Sequence, residues 1–248
     1  MSAMSDARPH AAMVLGAGLG TRMRPLTDSR PKPLIPVQGR AMLDRILDRL
    51  EAVGVGEAVI NLHHLGEMIE AHLSDRARPR IAYSREATLL ETGGGVRRAL
   101  PLLGPAPFYA INGDVCWLDG CRPALARLAD AWDDATMDAL LLLHPTAFAI
   151  GYAGPGDFIL SAEGCARRRG EREIAPFVFA GVQVLHPRLF ADAPEGAFSL
   201  NVLYDRAAEN GRLWGLRHDG EWLHIGTPAQ LREAEAALHN SGFRTVQR

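Results

Sequence analysis

A glycine-rich run, Gly16-Ala-Gly-Leu-Gly20, is followed at once by Arg22 and Arg24 and soon after by Lys32. Glycines directly after a strand let the backbone come close to a ligand and turn its N–H groups toward phosphate oxygens. Cations beside such a loop suit a polyphosphate whose charge rises during a reaction. Two familiar phosphate loops do not fit. The dinucleotide fingerprint needs Gly or Ala at position 21, which is Thr21, and the Walker A loop needs Gly-Lys-Ser or Gly-Lys-Thr, which is absent. Lys32 is itself unusual. The chain has 27 Lys+Arg, of which Lys32 is the single lysine, leaving 26 arginines. An ammonium is a compact point charge that can sit between two phosphates where a planar guanidinium fork cannot, and Pro31 and Pro33 limit the backbone that aims it. Farther along, Asn112-Gly-Asp114 ends an apolar run with a carboxylate, a position that by itself suits a turn residue or a helix cap.

The elements that must position these groups follow from the hydrophobic pattern. Residues 1–10 read as a disordered lead-in. Ala11–Leu15 reads as a buried strand that runs straight into the glycines. Helical stripes at Ala41–Val53, Leu65–Leu73, Gly95–Leu102 and Pro123–Ala131 alternate with strands at Ala58–Asn61, Arg80–Tyr83, Phe108–Asn112 and Ala139–Leu143. This rhythm predicts an α/β fold whose mostly parallel sheet is covered by helices on both faces. After about residue 143 the rhythm breaks. Asp157–Leu160 and Phe177–Val184 read as β elements around a turn-rich basic stretch holding Arg167, Arg168, Arg169 and Arg172. A helix at about Leu200–Asn210, strands near Leu213–Arg217 and Trp222–Ile225, and a helix over Pro228–Leu238 complete the chain. No Pro/Ser-rich linker divides it. A single domain over residues 11–240 is expected, with a nucleotide-binding half (about 11–143) and a sugar and metal half (about 144–240).

The string Leu15-Gly-Ala-Gly-Leu-Gly-Thr-Arg-Met-Arg-Pro-Leu-Thr27, followed by Pro31-Lys-Pro-Leu34, resembles the signature of the sugar-1-phosphate nucleotidyltransferases. The resemblance extends to Glu91-Thr-Gly-Gly-Gly95, Asn112-Gly-Asp114, Phe179-Ala-Gly-Val182 and Trp222-Leu-His-Ile-Gly-Thr227. Leu90–Gly95 and Gly156–Phe158 most resemble the N-acetylmuramate-1-phosphate uridylyltransferases of cell-wall recycling. The resemblance implies a Rossmann-like, three-layer fold with a small β-rich sugar-binding lid. It implies attack of a sugar 1-phosphate on the α-phosphorus of a nucleoside triphosphate, UTP for preference, with release of pyrophosphate.

By the same resemblance, Leu15, Ala17, Gly18, Gly20, Thr21 and Asn112 hold the nucleotide, and Gly93 and Gly94 receive the base on their backbone. Arg22 neutralises the β/γ end, and Lys32 the α-phosphate and the incoming sugar phosphate. Asp114 binds Mg²⁺, a hard cation that needs only one or two carboxylates besides phosphate oxygens. Asn112, Asp157 and Gly181 belong to the sugar side. Many members have Asp where this chain has His224. Imidazole suits Mn²⁺ or Co²⁺ better than Mg²⁺, so three readings stand for His224: a metal ligand, a donor to phosphate or water, or a packing residue. Asn201 and Asp219 are alternative oxygen sources. The arginines at 167–172 read as a solvated surface, or as a site favouring an acidic sugar.

A net charge of −2 gives no support for a nucleic-acid or membrane partner held by bulk electrostatics. The polar start and the short apolar runs resemble neither a signal peptide nor a membrane span. Cys116, Cys121 and Cys165 have no metal-binding or redox spacing. A cytoplasmic enzyme with no readable protein partner is expected. The alternatives are a transferase for another hexose or heptose 1-phosphate or a phosphocholine-type acceptor, and a nucleotide sensor without catalysis.

Overall fold

The computed structural model describes residues 8–240. The expected lead-in falls outside the described residues as far as residue 7. Beyond it, Arg8 pairs with Asp130 at 2.8 Å and the His10 carbonyl accepts from the Gly56 N–H. The first half contains strands β1 (Ala11–Leu15), β2 (Pro36–Val37), β3 (Arg40–Ala41), β4 (Glu57–Leu62), β5 (Arg80–Arg85), β6 (Phe108–Asn112), β7 (Cys116–Leu118) and β8 (Ala139–Pro145). Between them lie helices α1 (Met42–Ala52), α2 (Gly66–His72), α3 (Glu91–Leu103) and α4 (Ala124–Ala131). The second half adds β9 (Phe158–Leu160), β10 (Ala166–Arg168), β11 (Phe177–Leu185), α5 (Asn201–Glu209), β12 (Leu213–Arg217), β13 (Glu221–Leu223) and α6 (Pro228–Asn240).

The order β6-β1-β4-β5 is parallel throughout. β6, β1 and β4 are apolar runs buried on both faces, with Ala12, Met13 and Val14 of β1 fully buried, whereas the edge strand β5 is only partly buried. α1 buries Met42, Leu43, Ile46, Leu47 and Leu50, the stripe read from the sequence, each contributing about 1.5–3 kcal/mol of apolar burial. Next to β6, the sheet changes character. β11 runs antiparallel to β6 through Val182–Leu185 and antiparallel to β8 through both its ends, Phe177–Phe179 and Gln183–Leu185, and Phe177 also pairs with Phe158 of β9. The ladder slips between Phe179 and Gln183. Gly181 sits in that slip at φ +74°, where a Cβ would collide with Val115; only glycine fits such a bulge at low cost.

Besides the short β2–β3 pair, which the sequence reading does not include, three elements differ from it. α3 begins at Glu91, four residues before the expected start, so Gly93 and Gly94 lie inside its first turn. Arg167 and Arg168 belong to β10, which pairs with β9, rather than to an irregular basic loop. β7 was not read at all, because three buried residues carry no periodicity; it pairs with β13 in a separate two-stranded sheet.

Candidate active site

The loop leaving β1 folds back on itself around Gly20. This residue has φ +61°, the left-handed region that favours glycine, and a Cβ there would lie 2.9 Å from the Thr27 methyl and 3.2 Å from Lys32 Cβ. The Gly20 carbonyl accepts from the Thr27 hydroxyl and from the Met23 N–H, each at 2.9 Å. That closes a 3₁₀ turn over Thr21–Met23, which carries Arg22. Lys32 starts a second 3₁₀ turn, Lys32–Leu34.

Three strand ends are tied together behind this loop. The Gly16 N–H donates to Asn61 Oδ1 at 2.8 Å, and Asn61 Nδ2 donates to Glu86 Oε1 at 2.7 Å. Glu86 Oε2 accepts from the Leu90 N–H at 3.0 Å, just before α3. Asn61 and Glu86 are 2% and 5% exposed, so water competes little for these bonds. Sequence reasoning missed both residues; the signal for Asn61 was a polar side chain at the carboxyl end of an apolar strand, where open α/β sheets build their sites, and Glu86 follows a polar edge strand that gives no such signal.

Gly113 performs the corresponding task for β6. Its N–H donates to the Leu15 carbonyl at 2.9 Å, and a Cβ would lie 2.7 Å from that oxygen. The close approach brings Asp114 to the glycine loop, where its Oδ2 accepts from Lys32 Nζ at 2.5 Å. The Lys32 side chain is 11% exposed and that of Asp114 38%. The ammonium is therefore nearly dry, and the carboxylate keeps one oxygen toward open space.

Two cavities meet at this pair. One, of about 340 Å³, is lined by Leu15, Ala17, Gly18, Gly20, Thr21 and Asn112, the expected nucleotide residues, together with Asn61, Leu89, Glu91 and Thr92. The other, of about 300 Å³, is lined by Asp157, Gly181, Tyr152 and His224. Arg22, Lys32, Asn112 and Asp114 line both. Gly93 and Gly94 line neither. Both their N–H groups donate to the Phe198 carbonyl, at 2.8 and 3.2 Å, and a Cβ on Gly93 would collide with the Phe198 ring. Their backbone is committed to the protein itself. Leu89, Glu91 and Thr92 take the place on the cavity wall that those glycines were expected to fill, with Glu91 held at φ +59°.

His224 stands edge-on to Tyr152, with ring centroids 5.7 Å apart, and tilted on Trp222 at 5.6 Å. Trp222 is itself fastened to β11 by Nε1–H donating to the Ala180 carbonyl at 3.1 Å. His224 Nε2 and Arg22 Nη1 both crowd Gly226, at 3.0 and 3.3 Å from where its Cβ would be. Burial holds the imidazole below its ordinary pKa, and Arg22 and Lys32 push the same way, against Asp114 and Asp157. A neutral imidazole carries both a lone pair and an N–H, so the lowered pKa is compatible with ligating a metal and with donating to phosphate. Asn201 and Asp219 do not adjoin Asp114: Asn201 lines a cavity beyond Asp157, and Asp219 is paired with Arg127 at 2.5 Å on another face. Among the described residues no group of three His, Cys, Asp or Glu is arranged to hold a metal ion. A hard divalent cation here would have Asp114 as a carboxylate ligand and phosphate oxygens as further ligands.

Known proteins share this fold. The fold superimposes on a UDP-glucose pyrophosphorylase solved with UDP-glucose, with a TM-score of 0.76 over 94% of this chain and 99% of that one, at 15% identity. In sequence, the chain is 46% identical over 240 residues to an N-acetylmuramate alpha-1-phosphate uridylyltransferase of Caulobacter vibrioides, covering 95% of this chain and 99% of the relative. It is 37% identical to the enzyme of the same name from Neisseria meningitidis serogroup B, covering 91% and 96%. The family model described as "Nucleotidyl transferase" matches residues 11–154, the span that carries the glycine loop, Lys32 and Asp114. The chain belongs to the nucleotidyl transferase family.

Proposed function

We propose that the protein transfers UMP from UTP to N-acetylmuramate 1-phosphate, forming UDP-N-acetylmuramate and releasing pyrophosphate. The observation that carries this reading is the shared wall. Two cavities of nucleotide and sugar size meet at Arg22, Lys32, Asn112 and Asp114, so the phosphates of two substrates face one set of charges. Bringing two polyanions together and absorbing the charge of a leaving pyrophosphate is chiefly a matter of position and electrostatics. Lys32, nearly dry and held by Asp114, offers its charge without reorganisation. Arg22 covers the triphosphate end, and the amides around Gly18, Gly20 and Thr21 receive its oxygens. Asp157 and Gly181 form the sugar wall. The choice of uracil and of muramate rests on the names of the two relatives.

Asp114 would hold Mg²⁺, which supplies charge to the triphosphate; Mn²⁺ or Co²⁺ would serve if His224 joined the shell. His224 acts in this reading as a neutral hydrogen-bonding group toward phosphate. Residues 11–240 act as one catalytic unit, with the nine-stranded sheet continuous through both halves. Three free cysteines and the use of UTP support a cytoplasmic site of action.

Pyrophosphate release from UTP, N-acetylmuramate 1-phosphate and Mg²⁺, with the product identified by mass, tests the reading. Glucose, mannose or heptose 1-phosphate, or phosphocholine with CTP, as the better acceptor would overturn it. UTP binding without turnover under Mg²⁺, Mn²⁺ or Co²⁺ would instead favour a nucleotide sensor.

A further inference from the structure

A third cavity, of about 520 Å³, continues from the sugar side: Asp157 and Phe179 line both, and Arg168, Arg169, Phe158, Glu171 and Asn201 complete it. The four arginines of this stretch differ in what they already hold. Arg167 makes two bonds to Glu173, at 2.8 and 2.7 Å, and Arg168 pairs with Asp205 at 2.6 Å. Arg172 does not line the cavity. Arg169 lines it, half-buried, with no carboxylate partner among the described residues. Its Nη1 alone is engaged, donating to the carbonyls of Gly170, Glu171 and Glu173 at 3.1 to 3.3 Å. Its backbone N–H donates to the Asp157 carbonyl at 2.9 Å, and Asp157 Oδ2 accepts from the Phe179 N–H at 2.9 Å. The guanidinium is thus fixed along one edge to the same short segment that forms the sugar wall, while its other nitrogens stay open.

We infer that Arg169 is the residue that selects an acidic sugar, receiving a single carboxylate carried on an ether arm of the sugar 1-phosphate. The inference rests on the transferase reading above and deepens it. A planar fork with two open nitrogens matches a carboxylate. Asp157 and Glu171 in the same cavity repel a doubly charged group such as a second phosphate. Phe158 and Phe179, edge to face at 6.4 Å, give a small alkyl group on the arm an apolar surface. Asn201, at the start of α5, adds a carboxamide with no hydrogen bond from its side chain among the described residues.

The experiment compares N-acetylmuramate 1-phosphate with N-acetylglucosamine 1-phosphate, which lacks only the lactyl ether, with UTP as donor. Wild type favours the acidic sugar in kcat/KM, and the preference shrinks with added salt. In Arg169→Gln, which keeps a donor for the turn carbonyls, the preference falls about tenfold to hundredfold, the worth of one charge-assisted hydrogen bond, and the loss appears in KM. Arg169→Lys retains part of it, and Arg168→Gln changes it less than Arg169→Gln does. An equal loss on both sugars would make Arg169 only a clamp for its turn and overturn the inference. A wild type that turns over both sugars without preference also overturns it and leaves the transferase reading standing. A wild type that uses neither sugar removes both. The wild-type comparison does not depend on how any variant folds.

Discussion

Two glycine clusters serve opposite ends in this molecule. At Gly18 the backbone faces open space, with nothing within 4 Å of where a Cβ would be, between the packed Gly16 and Gly20. Around Gly93 and Gly94 the space is already filled by Phe198 and the Gly196 carbonyl. Both clusters follow a parallel strand, and both bring backbone close to something. In the first the space at Gly18 stays open, where the proposed reaction puts the triphosphate; in the second it is filled by the protein's own 196–198 segment. Missing side chains mark a close approach without saying what approaches.

The largest effect expected from this contrast is at Lys32, whose Cβ packs against Gly20 on the open side. Lys32→Ala should keep the fold and lower kcat by about 10²–10³-fold, the scale of removing one preorganised donor. Lys32→Arg should retain UTP binding and lose most of the turnover; a fully active arginine variant would show that a compact ammonium is not required. Gly93→Ala comes next and strikes stability. The methyl would displace Phe198, at a cost of about 1–3 kcal/mol, seen as a lower urea midpoint. If its midpoint matches wild type and only KM for UTP rises, the packed assignment of that cluster is wrong. Gly18→Ala should do the reverse, leaving the midpoint within about 0.5 kcal/mol and raising KM for UTP several-fold. An unchanged KM would mean that the open loop does not touch the triphosphate.

The smallest effect concerns another space closed by the chain itself. His144 and His218 are 2% and 1% exposed, with ring centroids 5.7 Å apart, and neither ring nitrogen of His144 has an aligned hydrogen-bond partner. Burial lowers both pKa values, with the Phe148 backbone opposing at His144 and the Glu221 backbone at His218. The unfolded chain takes up protons on these rings near pH 6.5 while the folded one resists. Stability should therefore fall as pH drops below about 6.5 and level off once the buried rings protonate. His144→Leu should flatten that fall by up to about 1 kcal/mol, measured as the urea midpoint at pH 7.5 and 5.5. An equally steep fall in the variant would place the pH dependence elsewhere.

Much of the site was legible because it is local. Gly16 to Lys32 carries its own turn chemistry, and Asn112-Gly-Asp114 needs only the strand before it to aim the carboxylate. The parallel strands were legible for the related reason that burial on both faces leaves continuous apolar runs. Asn61 and Glu86 were not, since a single polar residue at a strand end gives no period and their partners lie 45 and 25 residues apart in sequence. The basic stretch misled in part. Charge composition cannot tell Arg167 and Arg168, spent on Glu173 and Asp205, from Arg169, which is not.

Sequence alone determined the α/β class, the glycine loop after β1, and the presence of Arg22, Lys32 and Asp114, the groups that the proposed reaction assigns to the phosphates. Each depends on residues close together in the chain or on a periodicity that neighbours share. Tertiary structure decided that Gly18 stays open while Gly93 and Gly94 are packed, that Arg169 lines a cavity with no carboxylate partner among the described residues, and that His224 stands beside Arg22. Those outcomes are set by what arrives from distant segments to fill a volume or neutralise a charge. No local pattern records that competition.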